Sequence, residues 1–301
     1  MRMNLESTEK RPKVKREMPW LNLVLFLVTV GTTLGAGYLQ SLSLVRLGVL
    51  ESAWHGAIAF CLGILGIVGC HEMGHKLMAN RRGIDASFPY FIPAPTFIGT
   101  FGAVIRMRSR PGNRNALFDV GAAGPIGGIL VAIPVTILGI LWSFPVPAGS
   151  VEGGIALPEP LLFQWLGSWL LSLPSESVLL LHPLAFAGWV GMLITMLNLM
   201  PVGMLDGGHI SRALFGDKEL FRFSFFRLSS PRVISLVGVL VTAMLGYWLM
   251  AMVMLFLGGV RHHPGPLNDA IPLSRGRKIL AVGLAFLLVV CAAPLRSIIL
   301  R

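Results

Sequence analysis

Gly66-Ile67-Val68-Gly69-Cys70-His71-Glu72-Met73-Gly74-His75 is the stretch on which the reading of this chain turns. It closes an apolar run with no charged residue from Ala57 to Cys70, so His71-Glu72-x-x-His75 sits on the end of a membrane-length segment. On a helix, positions i and i+4 lie one above the other on one face. Two imidazoles so placed can ligate one zinc ion, and the glutamate between them can reach a water beside it. Ionisable groups at membrane depth are costly and are read first as functional. The plainer alternative is a core helix with incidental histidines.

The composition fits that setting. Of 301 residues 54% are hydrophobic and 13% charged, with mean hydropathy +0.73, against roughly 25% charged residues in soluble domains. The net charge of +11 does not point to nucleic acid. The basic residues fall in short blocks between apolar spans, the pattern of loops beside anionic lipid. Cys61, Cys70 and Cys291 all lie in apolar spans, so no disulfide framework is expected. The first apolar stretch is about 20 residues, too long for a cleavable signal segment.

Outward from the motif, the expected fold is an all-α polytopic membrane protein of about six transmembrane helices. The spans read as Trp20–Leu39, Ala53–Met78, Val120–Trp142, Leu184–Leu205, Val233–Leu257 and Ile279–Leu295. Residues 1–18 read as a cytoplasmic tail, and 19–301 as a single intramembrane domain with its core at about 53–210. The loop after helix two has strand-like composition over Phe97–Met107, so a small β-hairpin or re-entrant sheet competes there with an ordinary linker. The Gly-rich start of span three suggests close helix packing, and Asp119 before it reads as a helix-terminal acid. Residues 143–182 hold no Lys or Arg, as in an outside loop, and Leu161–Leu173 within them is too short to span. Strict alternation puts loop 258–278 outside as well, although Arg261, Arg275, Arg277 and Lys278 oppose that placement. The expected location is a prokaryotic cell membrane, with a cytoplasmic N-terminus.

A catalytic zinc takes three protein ligands and leaves one position open. Met78 and Arg81 stand where a third histidine motif would need Gly and His, and the next glutamate is Glu152 in the outside loop. Asp206 and His209 remain at matching depth. Asp206 ends an uncharged segment, where an unpaired carboxylate would be expensive and a cation would compensate it, so it is the preferred third ligand. His209 reads as a loop or supporting histidine.

With His71-Glu72-Met73-Gly74-His75 in one span and Asn198-Leu199-Met200-Pro201-Val202-Gly203-Met204-Leu205-Asp206-Gly207 in a later one, the chain resembles the site-2 protease family of intramembrane zinc metalloproteases. Ala123-Gly124-Pro125 adds to the likeness. The resemblance implies Zn2+ on His71, His75 and Asp206, Glu72 as general base, and Asn198 holding substrate or oxyanion. It implies hydrolysis of peptide bonds within or near transmembrane segments of single-span membrane proteins in the lipid bilayer, with no nucleic-acid partner. Among such proteins this would be a compact member, without an evident PDZ or cystathionine-synthase-like domain. Rival readings are a zinc-binding membrane transporter and a proteolytically silent scaffold.

Overall fold

A computed structural model of the chain describes residues 19–147, 157–172, 177–217, 219–223, 226–229, 233, 235–240, 252 and 265–292. The tail at 1–18 and most of the fifth expected span lie outside the described residues. Helix α1 (Pro19–Arg46) runs antiparallel to α2 (Ala53–Arg81), which opens on Ser52, whose hydroxyl accepts from the Trp54 N–H. The two helices touch through small residues. A Cβ on Gly37 would stand 2.9 Å from Ala57 Cα, and Thr33 Oγ1 lies 3.2 Å from Cys61 Sγ. Helix α3 (Arg114–Leu141) starts earlier than its hydropathy suggests, because Asn113 caps it by accepting from the Ala116 N–H at 2.9 Å.

The fourth expected span is broken. Helix α5 (Pro183–Leu199) stops short, Met200–Leu205 is irregular, and α6 (Asp206–Phe215) begins afresh with Asp206 as its first residue. Pro201 cannot supply an N–H to continue α5, and Gly203 takes a φ of +49°. Helices α2, α3 and α5 enclose the core of Phe60, Ile64, Ile67, Ala132, Ile140, Met192 and Met196. Glycines again set the spacing: Gly191 faces Ile67 and Ala132, and Gly63 faces Leu184 and Ala187. A short helix α4 (Leu161–Leu170), the expected non-spanning segment, packs on α3 and on the last helix α7 (Arg275–Cys291), with Trp165 and Trp169 exposed.

The loop after α2 is a hairpin. Strands β1 (Tyr90–Pro93) and β2 (Thr100–Val104) pair antiparallel with Tyr90 opposite Val104. The pairing extends to an Ala86–Met107 bridge. The fold is therefore mostly helical with the anticipated small sheet. Two further two-stranded antiparallel sheets were not foreseen: β3 (Phe144–Pro147) with β4 (Ser177–Leu180), on either side of α4, and β5 (Glu219–Phe223) with β6 (Phe226–Ser229).

Among the described residues three helices, α1, α2 and α3, are long and apolar enough to cross a membrane, and α5 is a shorter apolar helix of 17 residues. The expected six spans are not established by these helices, most of the fifth lying outside the described residues. Residues 265–278, expected outside, lie at the Arg81 end of the bundle. The Leu267 and Asn268 N–H groups donate to the Pro111 and Gly112 carbonyls at 2.9 and 3.0 Å. Arg277 pairs with Asp119 at 2.7 Å, and Arg82 pairs with the same carboxylate. The charge of that loop was the true signal, and strict alternation was not. Asp119 is likewise no helix-terminal acid. It lies inside α3 and ties the C-terminus of α2 to the start of α7. Arg212 gathers the chain at this same end. Its guanidinium holds Asp269 at 3.1 Å and Asp217 at 3.7 Å, and Gly265 packs against it.

Candidate metal centre

Because α2 is regular through the motif, His71 and His75 project from one face, one turn apart, with ring centroids 4.9 Å apart. The broken α5–α6 connection delivers Asp206 to the same point. Asp206 Oδ2 lies 3.1 Å from His71 Nε2 and 3.2 Å from His75 Nε2, and the two Nε2 atoms are 3.2 Å apart. His71, Glu72 and His75 are buried, with 4, 9 and 7% of their surfaces exposed. Asp206 is the first residue of α6, so the positive end of that helix faces its carboxylate.

The tautomer of His75 is set from outside the cluster. Its Nδ1 lies 2.7 Å from the Val120 carbonyl on α3, an acceptor-only group, so Nδ1 carries the proton and Nε2 presents its lone pair to the centre. Asn198, on the last turn of α5, brings its Nδ2 to 3.4 Å from His71 Nε2. Glu72 is not one of the three converging donors, but its carboxylate lies within electrostatic reach of His75 and Asp206 and beside the backbone amide of Ile105 at the exit of β2. His209 is buried on α6 against Gly121, and it is not one of the converging donors.

Two imidazole nitrogens and one carboxylate oxygen, all within 4.8 Å of one another, form the one such group of three among the described residues. Donors held about 2.1 Å from a tetrahedral zinc stand about 3.4 Å from each other. The observed separations of 3.1 and 3.2 Å match that triangle closely, and the N, N, O donor set is one that zinc accepts. The residues fit the ion.

What sequence reasoning missed is the wall behind the donors. The glycines of α3 are the surface on which the motif lies. Gly128 faces His71, with a Cβ there standing 3.1 Å from Nδ1. A Cβ on Gly127 would stand 2.6 Å from the Cys70 carbonyl oxygen, and Gly124 faces the His75 ring so closely that a Cβ would overlap Nε2. The close packing expected of this stretch is real, and what packs there is the face of α2 that carries His71 and His75. The only signal in the chain was the small-residue run Gly121-Ala122-Ala123-Gly124 with Gly127-Gly128.

With this geometry in place, comparison with known proteins is decisive. The profile described as Peptidase family M50 matches residues 59–229, which include both motifs. The chain belongs to peptidase family M50, the site-2 proteases. Among curated relatives, a protein named probable zinc metalloprotease EGY1, chloroplastic, of Oryza sativa subsp. japonica is 37% identical over 177 residues, covering 56% of this chain and 30% of the relative. The EGY1 protein of Arabidopsis thaliana is 31% identical over 228 residues, covering 67% of this chain and 40% of the relative. The EGY2 protein of Oryza sativa subsp. indica is 31% identical over 247 residues, covering 81% and 42%. The chain thus spans less than half the length of these M50 relatives. They also correct one expectation. The expected prokaryotic cell membrane is contradicted by these relatives, which are named chloroplastic. Hydropathy and loop charge report that a segment meets lipid, and they do not distinguish one energised membrane from another.

Proposed function

We propose that this chain is an intramembrane zinc metalloprotease that hydrolyses peptide bonds within or near the transmembrane segments of other membrane proteins, single-span proteins first among them. One observation carries the reading: His71, His75 and Asp206 converge from two separate elements, with Glu72 on the same turn of α2. We assign the zinc ligands to those three residues. The catalytic core is residues 53–210, within one intramembrane unit of residues 19–301. In the proposed layout α1, α2, α3 and α7 cross the bilayer, and α5 with α6 makes one broken crossing. Nine residues separate Glu72 from Arg81, which places the site about 13 Å inside the Arg81 end. By likeness to the relatives the membrane is that of a chloroplast.

Zinc, when bound, would polarise the scissile carbonyl and acidify a water at the centre. The chain's own residues do the rest. The Glu72 carboxylate takes the proton from the attacking water and returns it to the nitrogen of the departing amine. Asn198 Nδ2 reaches the same centre from α5 and donates to the oxygen on which negative charge develops. Val120 keeps the His75 proton on Nδ1 throughout. The outer edge of β2 pairs with no other strand among the described residues. It can take an unwound substrate segment by strand addition, beside the Ile105 amide that touches Glu72. A transporter would have no use for a carboxylate between the two histidines.

The test is paired. Zinc content and cleavage of a single-span reporter are measured on one detergent preparation of the parent and of Glu72→Gln. Retained zinc with abolished cleavage supports the reading, and cleavage at the parental rate refutes it.

A further inference from the structure

The β1–β2 hairpin is an irregular segment at membrane depth, and such backbone persists in lipid only where something satisfies its carbonyls. Helix α1 does this with polar side chains that the metal site never touches. Asn22 Nδ2 donates to the carbonyls of Phe88 and Pro89 at 2.9 and 3.0 Å. Thr32 Oγ1 donates to the Gly99 carbonyl at 2.6 Å, and Gln40 Nε2 to the Phe97 carbonyl at 2.7 Å. Phe26 adds an edge-on contact with Phe91, ring centroids 5.1 Å apart.

The spacing of these donors is a ruler. Asn22 and Gln40 are separated along α1 by about 27 Å at 1.5 Å per residue. The first limb of the hairpin, from Phe88 into the turn at 95–99, therefore runs alongside α1 over most of the apolar thickness, about 30 Å in a typical bilayer, and is fastened at its start by Asn22 and at its tip by Thr32 and Gln40. The tip fits only because residue 99 is glycine. Its φ is +78°, and a Cβ there would stand 2.6 Å from the Thr32 carbonyl oxygen and from Thr33 Cα. On the far side of the hairpin, β2 presents Phe101 and Val104, 72 and 51% exposed, and then meets Glu72 through Ile105.

We infer that Asn22, Thr32 and Gln40 are positioning residues that hold β2 at a set depth beside Glu72, so that α1 determines which bond of a membrane-embedded peptide reaches the centre. This rests on the proteolytic reading above. A hairpin with slack in its attachment still leaves the zinc donors in place, since those lie on α2 and α6. It would present substrate at several depths.

The decisive variants are Thr32→Val, which keeps the shape and removes the donor, Thr32→Ser, which restores it, and Asn22→Leu combined with Gln40→Leu. For each, zinc content, amide hydrogen exchange of residues 88–104, KM and kcat on a single-span reporter, and the position of the cut are measured in the full chain. Thr32→Val and the double variant are expected to retain zinc and kcat, to raise KM about tenfold for each bond removed, to speed exchange in 88–104 and to spread the cut over neighbouring bonds. Thr32→Ser should restore all of these. Unchanged exchange, KM and cut site in the double variant and in Thr32→Val would overturn the inference. If the parent itself cleaves no membrane peptide, the proteolytic reading falls. The exchange measurement then still decides whether α1 fastens the hairpin.

Discussion

Gly124→Ala is the sharpest perturbation of this site, since it adds one methyl group to a residue that binds nothing. The added Cβ would stand 2.5 Å from His75 Cδ2 and closer still to Nε2. An ordinary contact needs at least 3.4 Å, so the imidazole must retreat by about 1.5 Å at Nε2. Zinc–nitrogen distances tolerate only about 0.2 Å, and the retreat also draws Nδ1 from the Val120 carbonyl. Losing a hydrogen-bonded support of this kind costs 10–100-fold in metal affinity, and displacing the ligand itself costs more. The expected loss is therefore at least about 100-fold, or about 2.7 kcal/mol. Intrinsic helix propensity acts in the opposite direction, favouring Ala over Gly by about 1 kcal/mol in a helix interior. Metal binding and folding thus separate. The assay is zinc affinity by chelator competition beside thermal unfolding of the apoprotein in the same detergent. Gly31→Ala, where nothing lies within 4 Å of the new Cβ, serves as the control. Parental zinc affinity in Gly124→Ala would refute the assignment of His75 as a ligand in this geometry.

Other outcomes follow from the same contacts. Alanine at His71, His75 or Asp206 should each release zinc into a metal indicator, whereas His209→Ala should keep it, because His209 is not among the converging donors. Glu72→Gln should leave zinc in place while reporter cleavage falls by several orders of magnitude, each tenfold being about 1.4 kcal/mol of transition-state stabilisation. At the Arg81 end, Arg277→Gln removes two charged hydrogen bonds to Asp119, at 2.7 and 2.8 Å. It should cost about 1.5–3 kcal/mol of unfolding free energy. Arg82→Gln should cost under about 1 kcal/mol, since the Arg82 side chain is 36% exposed against 24% for Arg277. Denaturant unfolding that reversed this order would contradict the geometry. In a Cys-free background, Lys278→Cys should be labelled from the same side as Arg110→Cys and from the side opposite Trp142→Cys.

The parts of the molecule legible in the sequence are those whose physics is local. The spacing of His71 and His75 fixes their shared face wherever they sit on a helix, and the glycines and β-formers of 97–107 announce extended backbone. Asp206 was found because its depth could be counted. Pro201 and the glycines beside it imply a kinked or unwound end to that segment, as the structure has it, and what stayed hidden is that a separate helix starts at Asp206. The illegible parts depend on distant partners. Asp119 meets Arg82 and Arg277 across intervals of 37 and 158 residues. Gly124 faces a histidine 49 positions earlier in the chain. The misplacement of residues 265–278 has a different origin. Counting spans treats each apolar stretch as one crossing, whereas Arg275, Arg277 and Lys278 mark the Arg81 end directly.

The grip of Arg212 on Asp217, Gly265 and Asp269 has a bearing on how this chain can vary. Residue 217 leaves and residue 265 returns at a single guanidinium, so the stretch between them is inserted at one point of the bundle. Closing a loop between neighbouring ends changes by only about 0.6 kcal/mol for each doubling of its length. Variation in the length of that stretch is therefore cheap in loop closure at this junction, while its described residues keep holds of their own on the bundle: the Ser235 hydroxyl accepts from the Gly203 N–H and donates to the Pro201 carbonyl, each at 3.2 Å, Gly238 lies against Pro201 and Val202, and Val239 packs with Met200 and Val202. A graft there has to restore this packing on the broken connection as well as close the loop.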